Sequence, residues 1–120
     1  MSGSAIDTMK LRLRSDLRSA LAERRASDVE VLRSLLGALD QAEAVPAAAP
    51  GRGHVSFRFG DPGAEVPRKQ LSDEEVRSVI ANERDELLAA ADEYAGRARA
   101  DLADGFRQKA AVVERYFAPD

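Results

Sequence analysis

Residues 27–45, SDVEVLRSLLGALDQAEAV, decide the fold. Val29, Leu32, Leu36 and Leu39 form one apolar stripe, and Val31, Leu35, Ala38, Ala42 and Val45 form a second. Both follow the three- and four-residue spacing of an α-helix. Glu30, Arg33, Ser34, Asp40 and Gln41 leave a narrow polar strip between them. A helix this apolar needs cover on more than one side, which makes it central. Ser27 followed by Glu30 has the form of a capping box, so the helix is expected over 28–45. Gly37 costs helix stability in its middle unless it serves close packing.

Three further helices are expected around it. Ile6, Met9, Leu13, Leu17, Ala20 and Leu21 share one face of a first helix over 6–22. Arg24, Arg25 and Ala26 form a short link, which favours antiparallel neighbours. Leu71-Ser72-Asp73-Glu74-Glu75-Val76 carries a capping box, Ser72 with Glu75, and a hydrophobic staple, Leu71 with Val76. It opens a helix over 73–95 with Val76, Ile80, Leu87, Ala91 and Tyr94 on one face and Gly96 as its stop. A last helix over 101–117 carries Leu102, Phe106, Val113 and Phe117. Residues 46–70 hold four of the five prolines and four of the eight glycines, so no helix runs through them. Val55, Phe57 and Phe59 alternate with polar residues there, so the stretch reads either as a small β-ribbon or as a long loop. The fold expected is all-α, a single 120-residue domain with a compact bundle of about four helices and this insertion between the second and third.

Composition narrows the chemistry. There is no cysteine, which excludes disulfides, thiolate catalysis and cysteine metal sites and fits a reducing cytoplasm. No apolar run reaches membrane-spanning length, and MSGSAIDT lacks a signal pattern, so a cytoplasmic chain without a membrane partner is expected. Residues 1–25 hold six bases and three acids, whereas residues 71–120 hold seven bases and twelve acids. A basic first helix beside an acidic second half either steers an anionic partner or matches charges between packed helices.

Several motifs together resemble the GatB/YqeY family, the YqeY-like proteins related to the tail of the B subunit of aspartyl/glutamyl-tRNA amidotransferase. Leu32-Arg33-Ser34-Leu35-Leu36 and Gln41-Ala42-Glu43 resemble its arginine-leucine helix and following amide-x-Glu. Leu71-Ser72-Asp73-Glu74-Glu75 resembles its acidic helix start, and Glu83, Tyr94, Arg99-Ala100-Asp101-Leu102, Val113 and Tyr116 stand at matching offsets. The resemblance covers about residues 9–119 outside the insertion. The chain departs from it at Ala98, where a glycine is usual, at Lys109, where a glutamate is, and at Leu87, where a base is. The resemblance implies a short form without the second helical domain and an association with tRNA. It also brings the family label of carbon–nitrogen ligase activity with glutamine as amido-N-donor, although that chemistry belongs to other domains and subunits.

The candidate sites follow from the residues. His54, the single histidine, lies in the Gly/Pro-rich stretch and reads as a solvated loop residue. No phosphate-binding loop, paired-glycine fingerprint or zinc motif is present, so no catalytic, cofactor or metal residue is assigned. Lys10, Arg14 and Arg18, with Arg24 and Arg25, are candidate phosphate contacts, against the alternative of a solvated face balanced by Asp16 and Glu23. Phe57, Arg58 and Phe59 are candidates to stack RNA bases, against that of an apolar strand face packed on the helices. Arg33 and Glu83 each interrupt an apolar surface, which predicts a structural ion pair between the second and third helices. The reading is a non-catalytic accessory or interaction module, binding a protein partner or itself. The alternative is a tRNA-associated accessory of the amidotransferase system.

Overall fold

The computed structural model describes residues 5–44 and 69–117. Four helices run α1 Ala5–Ala22, α2 Ala26–Ala44, α3 Asp73–Gly96 and α4 Ala100–Glu114, an all-α bundle. The helices pair as two hairpins, α1 with α2 and α3 with α4, and α2 joins them by packing on both α3 and α4. The insertion expected over 46–70 lies outside the described residues apart from Lys69 and Gln70, which are not helical.

One turn design is used twice. Beyond α1, the Arg25 N–H donates to the Ala20 carbonyl at 2.9 Å and the Arg24 N–H to the Leu21 carbonyl at 3.2 Å. Beyond α3, the Arg99 N–H donates to the Tyr94 carbonyl at 2.9 Å and the Ala98 N–H to the Ala95 carbonyl at 3.1 Å. Each is a Schellman ending, which needs a left-handed residue just past the helix. Arg24 at φ 59° and Ala98 at φ 61° supply it. The next residue starts the next helix at once: the Arg25 carbonyl accepts from the Val29 N–H at 3.0 Å, and the Arg99 carbonyl from the Ala103 N–H at 3.0 Å.

This corrects the expected start of α2. The helix begins at Ala26, so Ser27 stands inside the first turn and does not cap it. The Arg25 guanidinium pairs instead with Asp28 in that turn and with Glu23 at 2.8 Å. The capping box of α3 forms as expected, with the Glu75 N–H donating to Ser72 Oγ at 3.1 Å and the Ser72 N–H to Glu75 Oε1 at 2.9 Å. α3 ends at Gly96, but the left-handed position is Ala98, the place where the resemblance implies glycine. α4 stops at Glu114 rather than 117, and the chain tightens into a turn in which the Tyr116 N–H donates to the Val113 carbonyl at 2.9 Å.

The core runs through all four helices. Ile6, Leu13 and Ala20 of α1 meet Val31, Leu32, Leu35 and Leu39 of α2, with Leu71, Val76, Ile80, Val112, Val113 and Tyr116 closing the cluster. Full burial of a leucine-sized side chain is worth about 1.5–3 kcal/mol, so these contacts dominate the association of the hairpins. The third and fourth helices approach through small residues, Ala91, Ala103 and Ala110, all buried. Tyr94 and Phe106 stack between them at 5.5 Å and 6°. Lys109, where the resemblance implies glutamate, pairs with Glu30 of α2 at 3.1 Å.

Candidate interaction surface

The basic ladder of α1 is split by the fold. Lys10 is 8% exposed and turned toward α2, where its Nζ meets Asp40 Oδ1 at 2.6 Å and also Glu43. Burial alone lowers the pKa of the Lys10 ammonium, but the two carboxylates outweigh it and the net shift is upward. Lys10 is therefore a helix-to-helix tie, and its expected place among the phosphate contacts is withdrawn. Arg25 is likewise engaged with Glu23 and Asp28.

Arg14 and Arg18 behave differently. Both are exposed, and neither takes an ion pair or hydrogen bond among the described residues. They lie on a stripe Leu11, Arg14, Arg18, Leu21 at helical spacing, facing away from Leu13 and Ala20. Leu11 is 66% and Leu21 47% exposed, so two large apolar side chains bracket two free guanidinium groups. Leu21 was expected on the core face. It stands on the shoulder of that face, where α1 ends and the chain turns away. Arg24, at the left-handed position of the turn, extends the cationic stripe and is exposed.

Arg33 adds to this surface. The Arg33–Glu83 pair expected from the sequence does not form. Glu83 accepts a hydrogen bond from Ser34 Oγ at 2.8 Å, and Arg33 is exposed on α2. One residue is about 100° of helix rotation, which is enough to exchange Arg33 for Ser34 at the contact with α3. Because Lys10 meets Asp40 and Glu43, the antiparallel register puts Arg18, two turns nearer the link, level with the stretch that contains Arg33. Phe57, Arg58, Phe59 and His54 lie outside the described residues.

On the opposite shoulder of α1, Tyr116 donates to the Asp16 carboxylate while Arg12 lies 4.5 Å from its ring centroid. Burial first, and then the Asp16 carboxylate, push the Tyr116 phenol well above its ordinary value. Arg12 also donates to the Arg115 carbonyl at 3.1 Å, and Arg115 reaches Asp28 at 3.5 Å. This cluster fastens the end of α4 to α1 and the start of α2. Sequence reasoning assigned Asp16 to the balance of a solvated face and missed it.

A shallow open groove of about 390 Å³ runs between α2 and α3, lined by Ala38, Gln41, Ala42, Val79, Asn82 and Glu83. Among the described residues, no group of three or more acidic, histidine or cysteine side chains is placed to hold a metal ion. Among them, too, no helix is long and apolar enough to cross a membrane. Comparison with family models, with curated proteins and with solved structures finds no match to the chain.

Proposed function

We propose that this chain is a non-catalytic helical accessory that binds a protein partner through the outer face of α1. The observation that carries the reading is the stripe Leu11, Arg14, Arg18, Leu21, exposed, with its arginines unpaired among the described residues. Protein interfaces combine apolar anchors with arginine, the combination that this stripe presents. The order of motifs that resembles YqeY-like proteins supports an accessory role in the same direction. A photo-crosslinking residue in place of Ser15, which is exposed beside the stripe, tests this in cells against the same residue in place of Gln108 on α4. A discrete protein adduct at Ser15 that disappears with Leu11→Glu is expected. Adducts no different from those at Gln108 overturn the reading.

The second reading, a tRNA-associated accessory of the amidotransferase system, is favoured by Arg14, Arg18, Arg24 and Arg33 of the first hairpin, all exposed and without an ion pair among the described residues. Phosphate contacts predict binding of tRNA whose affinity falls steeply with log salt and drops on replacing Arg14 and Arg18 by Ala. No binding at low salt removes it. Glutamine hydrolysis by the isolated chain would speak instead for the carbon–nitrogen ligase label.

A further inference from the structure

We infer that the partner of the α1 face is the outer face of α3 of a second copy of this chain. The inference rests on the reading of α1 as a protein-binding surface and names its occupant.

Charge argues first. α1 carries Lys10, Arg12, Arg14 and Arg18 against Asp7 and Asp16, while α3 carries Asp73, Glu74, Glu75, Glu83, Asp85, Glu86, Asp92 and Glu93 against Arg77 and Arg84. Within one copy these helices satisfy few of each other's charges. Lys10 is engaged by α2, Glu83 by Ser34, Glu75 by Lys69, and Asp85 and Glu93 by their neighbours Arg84 and Arg97, whereas Asp92 takes no partner among the described residues. The outward faces of α1 and α3 are left as oppositely charged surfaces, a pairing that steers and orients association.

Spacing argues second. Asp85, Leu88 and Asp92 are exposed on α3 at positions three and four apart, and Leu88 is its exposed large apolar residue at 38%. If Leu21 of one copy packs on Leu88 of the other with the helices antiparallel, Arg24 falls opposite Asp85 and Arg18 opposite Ala91, one residue from the Asp92 carboxylate. Each leucine then gains an apolar neighbour, and two arginines each gain a carboxylate. Arg14 falls near Ala95 and Gly96, which are small and exposed and leave room for its long side chain. Nucleic acid would use the arginines but leave Leu21 in water, so that leucine favours a helix over a phosphate backbone. A two-fold dimer uses the contact twice, α1 on α3 and α3 on α1.

Sedimentation equilibrium of the full chain from micromolar to millimolar concentration tests it. The average mass is expected to rise toward two chains, and added salt is expected to push the midpoint to higher concentration. Arg18→Glu and Asp92→Arg, both at exposed positions, should each weaken the dimer about tenfold or more while leaving the helical circular dichroism intact. An equimolar mixture of the two variants should associate again, because every contact in the mixed pair joins opposite charges. A chain that stays monomeric throughout, a dimer indifferent to both reversals, or a mixture that fails to recover overturns the inference. A monomer whose Ser15 position crosslinks a different protein overturns this inference and leaves the α1 surface standing. A monomer that binds mixed-sequence RNA through Arg18 overturns it in favour of the second reading.

Discussion

Arg24 and Ala98 hold the same left-handed backbone, φ 59° and 61°, at equivalent points of the two hairpin turns. Neither is glycine, and an L-residue pays about 1 kcal/mol or more for that conformation. Ala98→Gly should raise stability by about 0.5–1 kcal/mol, the relief of strain being partly offset by the added freedom of glycine in the unfolded chain. Arg24→Gly should do the same, and the two gains should add because the turns share no partner. Chemical denaturation of both single variants and the double variant measures this.

Gly37 and Gly105 present the reverse case. Each lies inside a helix, and a methyl group built on either meets no atom within 4 Å. Among the described residues Gly37 therefore serves no close approach, and its cost to the helix is not offset by packing. Gly37→Ala and Gly105→Ala should each add about 0.5–1 kcal/mol through helix propensity. Thermal midpoints that fall with either change would show a contact that the free chain does not display.

Lys10 is the polar tie between α1 and α2. Lys10→Met keeps the apolar stem and removes the ammonium from two carboxylates, one of them, Glu43, only 11% exposed in its side chain. Loss of one side of a buried pair costs about 3–5 kcal/mol, and the half-exposed Asp40 places this case at the lower end. Lys10→Met with Glu43→Gln should cost less than the sum of the two changes, as residues in one network do.

Alkaline pH should loosen the fold by a defined route. Tyr116 and Lys10 both have raised pKa values in the folded chain, from 10.0 and 10.5 respectively. Above about pH 10 the unfolded chain releases these protons while the folded chain still holds them, so stability is complete below that pH and falls as pH rises further. Tyr116→Phe lowers stability at neutral pH by removing the bond to Asp16, and it should flatten the decline above pH 10. Denaturation midpoints against pH for the two proteins give the comparison.

The helices were legible because burial follows their period. Leu32, Leu35, Leu39, Val76 and Ile80 were readable as core from spacing alone, and all are buried. The cap at Ser72 was legible too, since both of its bonds are made within four residues. The start of α2 was not, because a Schellman ending in Arg24 and Arg25 pre-empts Ser27, and nothing in an Arg-Arg pair announces a left-handed residue. Lys10, Arg14 and Arg18 read as one ladder, yet successive steps of four residues drift by about 40°, enough to bury the first and expose the others. The Tyr116–Asp16 bond joins residues at opposite ends of the chain, where local pattern carries no information about contact.

The Lys69 N–H donates to the Glu43 carbonyl at 2.9 Å, so the end of α2 and the approach to α3 are held side by side. Shortening 45–68 to a few glycines should lower the entropy of closure by about 1–2 kcal/mol and leave the helical spectrum unchanged. Lengthening the segment between these two residues should likewise cost little in closure entropy. With its two ends already tied by one backbone bond, a new sequence spliced between Glu43 and Lys69 would start and finish at fixed, neighbouring points.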